Sequence, residues 1–231
     1  DNNKHAKVIS YLDHLSTSDL KNKYKSDASV NADHIVSVDF VCPDGDIVKA
    51  VGEKKFDYVV ASHVAEHSPN FLKFLLAIYD VLKPGGLVFL VIPDKRFTFD
   101  VNRPVTSFGT LLERYLSDEV RPSISAVYDH FASAVKVDAS RIWTDPIDLS
   151  ASPRLTAPSF AWKASNSVKK DKAYFDVHVN IFTPYNFFEI LESAIVHDII
   201  AFEVEKFQDT QPGQLEFMVA LTKPIGSDVN L

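Results

Sequence analysis

The first 92 residues of the chain alternate between short apolar runs and amphipathic segments, which is the pattern of βαβ units around a parallel sheet. Strands are predicted at Val8–Leu12, His34–Val41, Phe56–Ala61 and Leu87–Ile92. Short helices are predicted over Thr17–Tyr24, with Ser16 or Thr17 as N-cap, and over Asp46–Val51. The near-continuous apolar character of the third strand suits a parallel strand that is covered on both faces.

The unit that runs from the third strand to the fourth has the clearest pattern. Ser68 is the predicted N-cap of its helix, and Pro69 is the predicted first helical residue. Apolar residues then recur at i, i+4, i+7 and i+11 and form one stripe: Phe71, Leu75, Ile78 and Leu82. The sequence KPGG at 83–86 is expected to end this helix before the fourth strand.

Residues from Pro93 to about Tyr174 interrupt the alternation and predict an insertion. Two amphipathic helices are expected there, marked by two sets of apolar residues: Phe108, Leu111, Leu112 and Tyr115, then Ile124, Val127, Tyr128, Phe131 and Val135. Residues 144–172 are rich in Pro, Ser, Ala and Lys, and we predict a long loop over them.

The alternation resumes after the insertion. A helix is predicted after Thr183-Pro184, and two strands follow at Phe202–Phe207 and Leu215–Thr222. The Pro-Gly turn between these strands favours an antiparallel pair. The predicted fold is therefore α/β, a doubly wound and mostly parallel sheet with a terminal antiparallel pair and a helical insertion. We expect one domain over residues 1–224, with the insertion at 95–175 and a frayed tail at 225–231.

Composition excludes several classes of protein. The chain has 231 residues, about one and a half typical domain lengths, and a net charge of −7, which argues against a nucleic-acid binder. Its 46% hydrophobic content excludes global disorder. No apolar run approaches the roughly 18 residues that a membrane span needs. The single cysteine, Cys42, forms no internal disulfide and fits a reducing compartment, so a cytoplasmic location is expected.

The order of these elements resembles that of class I S-adenosylmethionine-dependent methyltransferases. The resemblance runs from about Val8 to Lys223 and is sharpest in FDYVVASHVAEH at 56–67 and VLKPGGLVFLVIPD at 81–94. Within that class, YLDH at 11–14, PDKRFTFD at 93–100 and DVHVNIFTP at 176–184 resemble a branch linked to polysaccharide synthesis and often fused to glycosyltransferases. The resemblance implies S-adenosylmethionine as methyl donor and S-adenosylhomocysteine as product.

The resemblance also implies which residues bind the cofactor. Asp13, at a strand end, is assigned to the ribose hydroxyls, with His14 beside it, and Asp39 to the adenine amino group with Phe40 beside the ring. The backbone of Ala61, Ser62 and His63 is expected to lie along the cofactor. For either aspartate, a turn or capping role is the alternative.

One part of the family pattern is expected to lie outside this sequence. The class places a first strand and a glycine-bearing loop before the strand that here ends at Asp13, and glycine lets the backbone approach the cofactor's methionine moiety. Only seven residues precede Val8, none of them glycine, and the chain holds 7 glycines in all and begins with Asp1 instead of Met. We therefore expect an upstream segment to carry that loop.

His63-Val64-Ala65-Glu66-His67 also matches H-x-x-E-H, a zinc-hydrolase signature in which two histidines on one helical face bind the metal and Glu is the general base. That chemistry requires the motif to lie in a helix, whereas here it directly follows a buried strand. We therefore predict no metal site, with Glu66 and His67 orienting the loop and His63 facing the cleft.

Methyl transfer to a hydroxyl benefits from a base that takes the proton, and histidine is suited to this near neutral pH. We expect that base among His63, His178 and Asp94, and a histidine contact to the acceptor from His130. Each of these residues could instead have a purely structural role.

The acceptor side of the predicted site is basic and aromatic. Lys95, Arg96 and Arg103 are predicted to clamp an anionic or polyhydroxylated acceptor, with a solvated loop as the alternative. Four aromatic residues of the insertion are candidates for stacking on a sugar or for packing in a lid: Trp143, Phe160, Trp162 and Tyr174.

The predicted function is S-adenosylmethionine-dependent O-methylation of a sugar hydroxyl on a glycan or polysaccharide precursor. A fused glycosyltransferase is the expected partner. Two alternatives remain: a non-catalytic methyltransferase-like interaction domain, and a methyltransferase acting on nitrogen or on a small metabolite.

Overall fold

The computed structural model describes residues 9–27, 30–138, 141–144 and 152–226, and the chain forms two compact units, residues 1–54 and 55–231. Each unit contains its own sheet, one of two strands and one of four. Val8, residues 145–151 of the predicted loop and most of the predicted tail lie outside the described residues. Among the helices of the described ranges, none is both long enough and apolar enough to cross a membrane.

The first unit pairs two short parallel strands, β1 (Leu12–Asp13) and β2 (Phe40–Val41). Helix α1 (Thr17–Tyr24) begins after Ser16, whose hydroxyl accepts the amide of Asp19, as predicted for an N-cap. Helix α2 (Ile47–Val51) begins after Asp46, which caps it in the same way.

Both predicted strands of this unit were too long. The segment 34–41 contributes only Phe40 and Val41 to the sheet. In the residues before Phe40, side chains accept backbone amides that a neighbouring strand would otherwise bind. Asn31 caps a 3₁₀ turn at Ala32–His34, and the hydroxyl of Thr17 accepts the amide of Val38. Asp39 therefore precedes β2 instead of ending it.

The second unit contains a four-stranded sheet in the order β3-β4-β6-β5. Its strands are β3 (Phe56–Ser62), β4 (Leu82–Pro93), β5 (Glu203–Gln208) and β6 (Glu216–Thr222). β3 and β4 are parallel, whereas β6 is antiparallel to both β4 and β5. The predicted α/β class and the terminal antiparallel pair are confirmed.

Helix α3 (Phe71–Val81) connects β3 to β4 and corrects two predictions. Asn70, not Ser68, is the N-cap, because its side-chain oxygen accepts the amide of Lys73. Ser68 instead closes a 3₁₀ turn at Ala65–His67. Leu82 is already in β4, where it pairs with Phe56.

The described residues of the insertion form three α-helices, α4 (Phe108–Leu116), α5 (Ile124–Ser133) and α6 (Pro158–Asp171). The prediction of a loop over the residues of α6 was wrong. The buried face of this helix consists of the small residues Ala161, Ala164 and Ser165, which do not form a recognisable apolar stripe in the sequence. Pro158 occupies its first turn, where a missing amide donor costs nothing. Val135 lies beyond the end of α5.

Two apolar clusters fix the segment 176–182, which precedes helix α7 (Pro184–Val196). Phe182 packs against Phe71 and Phe187, with ring centroids 5.2 and 5.6 Å apart. Val177 and Val179 pack with residues of α5 and α6. The intervening His178 and Asn180 are buried as well, and both contact the turn that follows β3.

Candidate active site

The site begins where β3 ends. His63 donates its amide to the carbonyl of Val91 in β4 and has a φ of 53°, a left-handed conformation that is uncommon outside glycine and that costs about 1 kcal/mol or more. The chain then turns into the 3₁₀ turn Ala65–His67. This backbone reversal puts Glu66 inside the protein and leaves the side chain of His63 nearly half exposed.

The 3₁₀ turn is attached to the segment 176–182 by main-chain and side-chain hydrogen bonds. The amides of Val179 and Asn180 donate to the carbonyl of Glu66 at 2.7 and 3.0 Å. The side-chain amide of Asn180 donates to the carbonyls of Ala65 and Ser68, at 2.9 and 2.7 Å. These bonds span more than 110 positions of sequence and bring His178 next to Glu66.

A buried arginine completes this attachment. Arg114 of α4 donates to the side-chain oxygen of Asn180 at 2.9 Å, and its own carbonyl accepts the side-chain amide of Asn70. Burial lowers the pKa of Arg114. The guanidinium therefore depends on these partners to offset the cost of leaving water.

Glu66 is the centre of the site. Three imidazole nitrogens surround its Oε1 atom: Nδ1 of His63 at 3.4 Å, and Nε2 of His67 and of His178, each at 3.9 Å. Only 1% of Glu66 is exposed, and neither carboxylate oxygen has a hydrogen-bond partner among the residues that the structure describes. A buried carboxylate in this state costs several kcal/mol.

Two further carboxylates contact the far sides of these imidazoles. Asp100 Oδ2 lies 2.5 Å from Nδ1 of His178, and Asp100 Oδ1 accepts Nη1 of the buried Arg103 at 2.8 Å. Burial raises the pKa of Asp100, but His178 and Arg103 outweigh it and the net pKa is lowered. Asp176 Oδ1 lies 2.8 Å from Nδ1 of His67, an ion-pair distance without the alignment of a hydrogen bond.

The histidines of the site differ in their pKa. Glu66 is the main reason that the pKa of His63 is raised, and burial only partly opposes it. Burial lowers the pKa of His67, but Asp176 and Glu66 reverse the balance, so that the net pKa is raised. His130, whose ring centroid lies 6.0 Å from that of His178, has its pKa lowered to about 4 by burial and by Arg103. It is therefore neutral at pH 7.

The structure gives Asp94 and the three predicted cations internal partners. Asp94 is fully buried at the end of β4, where it accepts hydrogen bonds from both the backbone and the guanidinium of Arg96 and from the hydroxyl of Thr210. Lys95 donates to the carbonyl of Val101, and Arg103 binds Asp100. Loosening these contacts would be a precondition for any role of these side chains in acid–base chemistry or acceptor binding.

The predicted aromatic residues of the insertion divide into packed and exposed side chains. Trp143 stacks on Phe97 with centroids 3.9 Å apart, and Phe160 packs edge-on against Phe131. Trp162 and Tyr174 are exposed, and Phe160 is 42% exposed despite its contact with Phe131.

The predicted cofactor residues are distributed over both units. In the first unit, Asp13 Oδ1 lies 2.6 Å from Nδ1 of His14, and Asp39 Oδ2 accepts the amide of Tyr11 at 2.8 Å. Phe40 in β2 lies under the ammonium of Lys54. In the second unit, Ala61 is buried, Ser62 is exposed, and His63 follows them at the end of β3.

The zinc-hydrolase interpretation of residues 63–67 requires these residues to lie in one α-helix, and they do not. These residues follow the end of β3 and include the 3₁₀ turn Ala65–His67 instead of an α-helix, so His63 and His67 do not share a helical face. Sequence reasoning missed the central position of Glu66 and the roles of Asp100, Asp176, Arg114 and Asn180. A signal for part of this was present, because Asp100 and His178 lie in the two segments 93–100 and 176–184 that resemble the same branch.

Comparison with known proteins identifies the family of this chain. A solved structure reported for the conversion of a disulfide bond into a thioacetal group during echinomycin biosynthesis is similar at 12% identity and a TM-score of 0.42, over 96% of this chain and 69% of that one. A search of the curated proteins finds no match. The family model of a methyltransferase domain matches residues 10–125, which is half of the chain. The chain therefore belongs to the methyltransferase-domain family and is a methyltransferase.

Proposed function

We propose that this protein transfers a methyl group from S-adenosylmethionine to a sugar hydroxyl of a glycan or polysaccharide precursor. The family match supports methyl transfer, and S-adenosylmethionine is the methyl donor that this family generally uses. The donor set of the first unit fits such a ligand, because the carboxylates of Asp13 and Asp39 can accept hydrogen bonds from ribose hydroxyls and an adenine amino group. We also propose as cofactor-binding residues His14 and Phe40 of the first unit and Ala61, Ser62 and His63 of the second.

The reaction requires little covalent chemistry from the protein. Bound S-adenosylmethionine supplies a methyl group on a positively charged sulfur; transfer breaks the methyl–sulfur bond, forms the methyl–oxygen bond and leaves S-adenosylhomocysteine. The hydroxyl proton must go to a base, and the acceptor oxygen must be held in line with the methyl group. These two tasks fall to the side chains at the end of β3 and around it.

We assign the base to His63, and the contact between His63 and Glu66 is the observation that carries this assignment. His63 is nearly half exposed and its Nδ1 lies 3.4 Å from the buried carboxylate of Glu66, which would stabilise the imidazolium formed when the proton arrives. His178 and Asp94, the other two candidates, are buried and already engaged with Asp100 and Arg96. Their support for the reaction would be through positioning.

The sugar acceptor is supported by the insertion. Segments 93–100 and 176–184, which resemble methyltransferases of polysaccharide synthesis, contact each other through the His178–Asp100 pair and through a bridge between Asp94 and Phe182. Trp162 and Tyr174 present exposed rings that are suited to stacking on sugars. The same resemblance supports a glycosyltransferase as the partner that supplies the acceptor.

Methyl transfer from isotope-labelled S-adenosylmethionine to a panel of sugar nucleotides, oligosaccharides, amines and small metabolites tests the proposal with the full-length protein. We expect label in a sugar O-methyl group. His63→Ala should lower kcat by 10²-fold or more and leave S-adenosylhomocysteine affinity unchanged, because a general base contributes about 10²–10⁴-fold. His197→Ala, which alters an exposed histidine at the end of α7, is the matched control and should keep full turnover.

Two results would overturn the proposal. Label found only on nitrogen or on a small metabolite would contradict the sugar acceptor. A full-length protein that binds no S-adenosylhomocysteine and methylates nothing would instead favour a non-catalytic interaction domain.

A further inference from the structure

We infer that Glu66, His67 and His178 form a binding site for a divalent transition-metal ion of the zinc type. This inference goes beyond the proposed function, because neither the methyl donor nor the sugar acceptor requires such an ion. It differs from the expectation of no metal site drawn from the sequence. It also differs from the zinc-hydrolase interpretation, since Glu66 here is a ligand instead of a base and His178 comes from a distant segment.

The spacing of the three donor atoms suits a tetrahedral ion. Oε1 of Glu66 lies 3.9 Å from Nε2 of His67 and 3.9 Å from Nε2 of His178, and all the donor atoms lie within 4.8 Å of one another. Bonds of about 2.0–2.1 Å in a tetrahedral zinc site place the ligand atoms about 3.4 Å apart. Binding therefore requires only a modest contraction of three side chains.

The state of Glu66 is an independent indication of a missing partner. Its carboxylate is buried, and neither oxygen accepts a hydrogen bond from the described residues. Folded proteins seldom leave such a group uncompensated, because its desolvation costs several kcal/mol. A divalent cation at Oε1 would remove that cost directly.

The carboxylates behind the imidazoles have the arrangement that supports metal ligands. Asp100 contacts Nδ1 of His178, and Asp176 contacts Nδ1 of His67. The hydrogen bond to Asp100 favours the proton on Nδ1 of His178, which leaves the Nε2 lone pair directed to the other side. The charge of Asp176 favours the same tautomer of His67, without the alignment of a hydrogen bond. For both histidines, Nε2 is the atom on the side of Glu66.

The donor set also identifies the class of ion. Two imidazoles and one carboxylate are ligands of zinc and of other first-row transition metals, whereas calcium and magnesium prefer sites made of oxygen. Three protein ligands leave a fourth position open. His63, the proposed base, lies 3.4 Å from the same Glu66 oxygen, so the ion would be a neighbour of the acceptor.

Cobalt(II) provides a probe that does not depend on activity. The full-length protein, freed of metal with a chelator, is titrated with Co²⁺ and followed by its visible absorption, and Zn²⁺ binding is measured by calorimetry and by displacement of the cobalt. We expect one ion per chain with the absorption of a tetrahedral cobalt site. Glu66→Gln, His67→Ala and His178→Ala should each weaken Zn²⁺ binding 10²-fold or more.

Two features keep the test decisive. His197→Ala should bind as the unaltered protein does, because this exposed histidine at the end of α7 is not one of the three donor residues. His67 is about one-third exposed, so its replacement should fold even if the buried variants do not. Failure to bind Zn²⁺ below millimolar concentration, or unchanged binding by His67→Ala, would overturn the inference. Neither outcome involves S-adenosylhomocysteine, so both are distinguishable from failure of the proposed function.

Discussion

Replacing Asn180 by alanine tests how the site is assembled. The side chain of Asn180 is 1% exposed and makes three contacts, donating to the carbonyls of Ala65 and Ser68 and accepting from Arg114. No water can replace these contacts without entering the protein. Asn180→Ala therefore removes a partner from one buried carbonyl, one partly buried carbonyl and one buried guanidinium at the same time.

The expected cost follows from these contacts. A hydrogen bond between neutral groups contributes about 1 kcal/mol to stability, and one to a charged group about 1.5–3 kcal/mol. Loss of the two bonds to carbonyls and of the one bond to the guanidinium should therefore lower the free energy of unfolding of the Ala variant by about 3.5–5 kcal/mol. This is a large part of the roughly 5–15 kcal/mol that stabilises a typical domain.

Urea unfolding followed by circular dichroism at pH 7, in the presence of a chelator, measures this cost. Asn166→Ala is the matched control, because the amide of Asn166 donates to the carbonyl of Trp162 one turn away in the same helix α6. We expect the control to change stability by about 0.5 kcal/mol or less. A loss below about 1 kcal/mol for Asn180→Ala would refute the conclusion that these bonds hold the 3₁₀ turn against the segment 176–182.

Four further substitutions test the charges and the packing of the second unit. Asp100→Asn should lower the free energy of unfolding by about 3 kcal/mol at pH 7, because it leaves Arg103 buried without its charge partner; the exposed Asp57→Asn should leave the urea midpoint unchanged. The pKa of Asp100 is lower in the folded protein than the ordinary aspartate value of about 4, so the stabilisation of the fold by this carboxylate is complete above that value. The difference in free energy of unfolding between Asp100→Asn and the unaltered protein should therefore shrink as the pH falls through the lowered pKa. Gly86→Ala should lower the melting temperature, at a cost of about 1–3 kcal/mol, because a Cβ atom would lie 2.8 Å from a backbone carbonyl oxygen. Gly109→Ala, in the first turn of α4, should raise the free energy of unfolding by up to about 1 kcal/mol, because its Cβ would meet only the hydroxyl of Ser107, at an ordinary contact distance of 3.9 Å.

The sequence predicted the elements in which local pattern and tertiary packing agree. The apolar stripe of Phe71, Leu75 and Ile78 gave helix α3, since those side chains are the ones that pack in the core. The predicted start of this helix was wrong, because Ser68 and Asn70 are both residue types that favour the N-cap position. Only the 3₁₀ turn that precedes them decides between the two. Helix α6 was missed because alanine and serine fill its buried face, and these residues carry little hydrophobic signal.

The composition of the site could be predicted only in part. His63 and His178 were chosen from the chemistry that histidine offers. Nothing local indicated that Glu66, which lies between them in space, is buried and accepts no hydrogen bond from the described part of the chain. Burial of that kind depends on contacts between positions 66 and 178–180, and the pairing of Asp100 with His178 spans 78 residues. Such contacts depend on the topology of the chain, and the topology cannot be predicted from the pattern of neighbouring residues.

Calorimetric titration of the full-length protein with S-adenosylhomocysteine tests the central claim most directly, because it needs no knowledge of the acceptor. We predict one binding site per chain and a melting temperature that rises with ligand concentration, as linkage between binding and folding requires. We also predict weaker binding by Asp13→Ala and Asp39→Ala. The absence of both binding heat and a melting shift at saturating ligand would contradict the assignment of this protein as an S-adenosylmethionine-dependent enzyme.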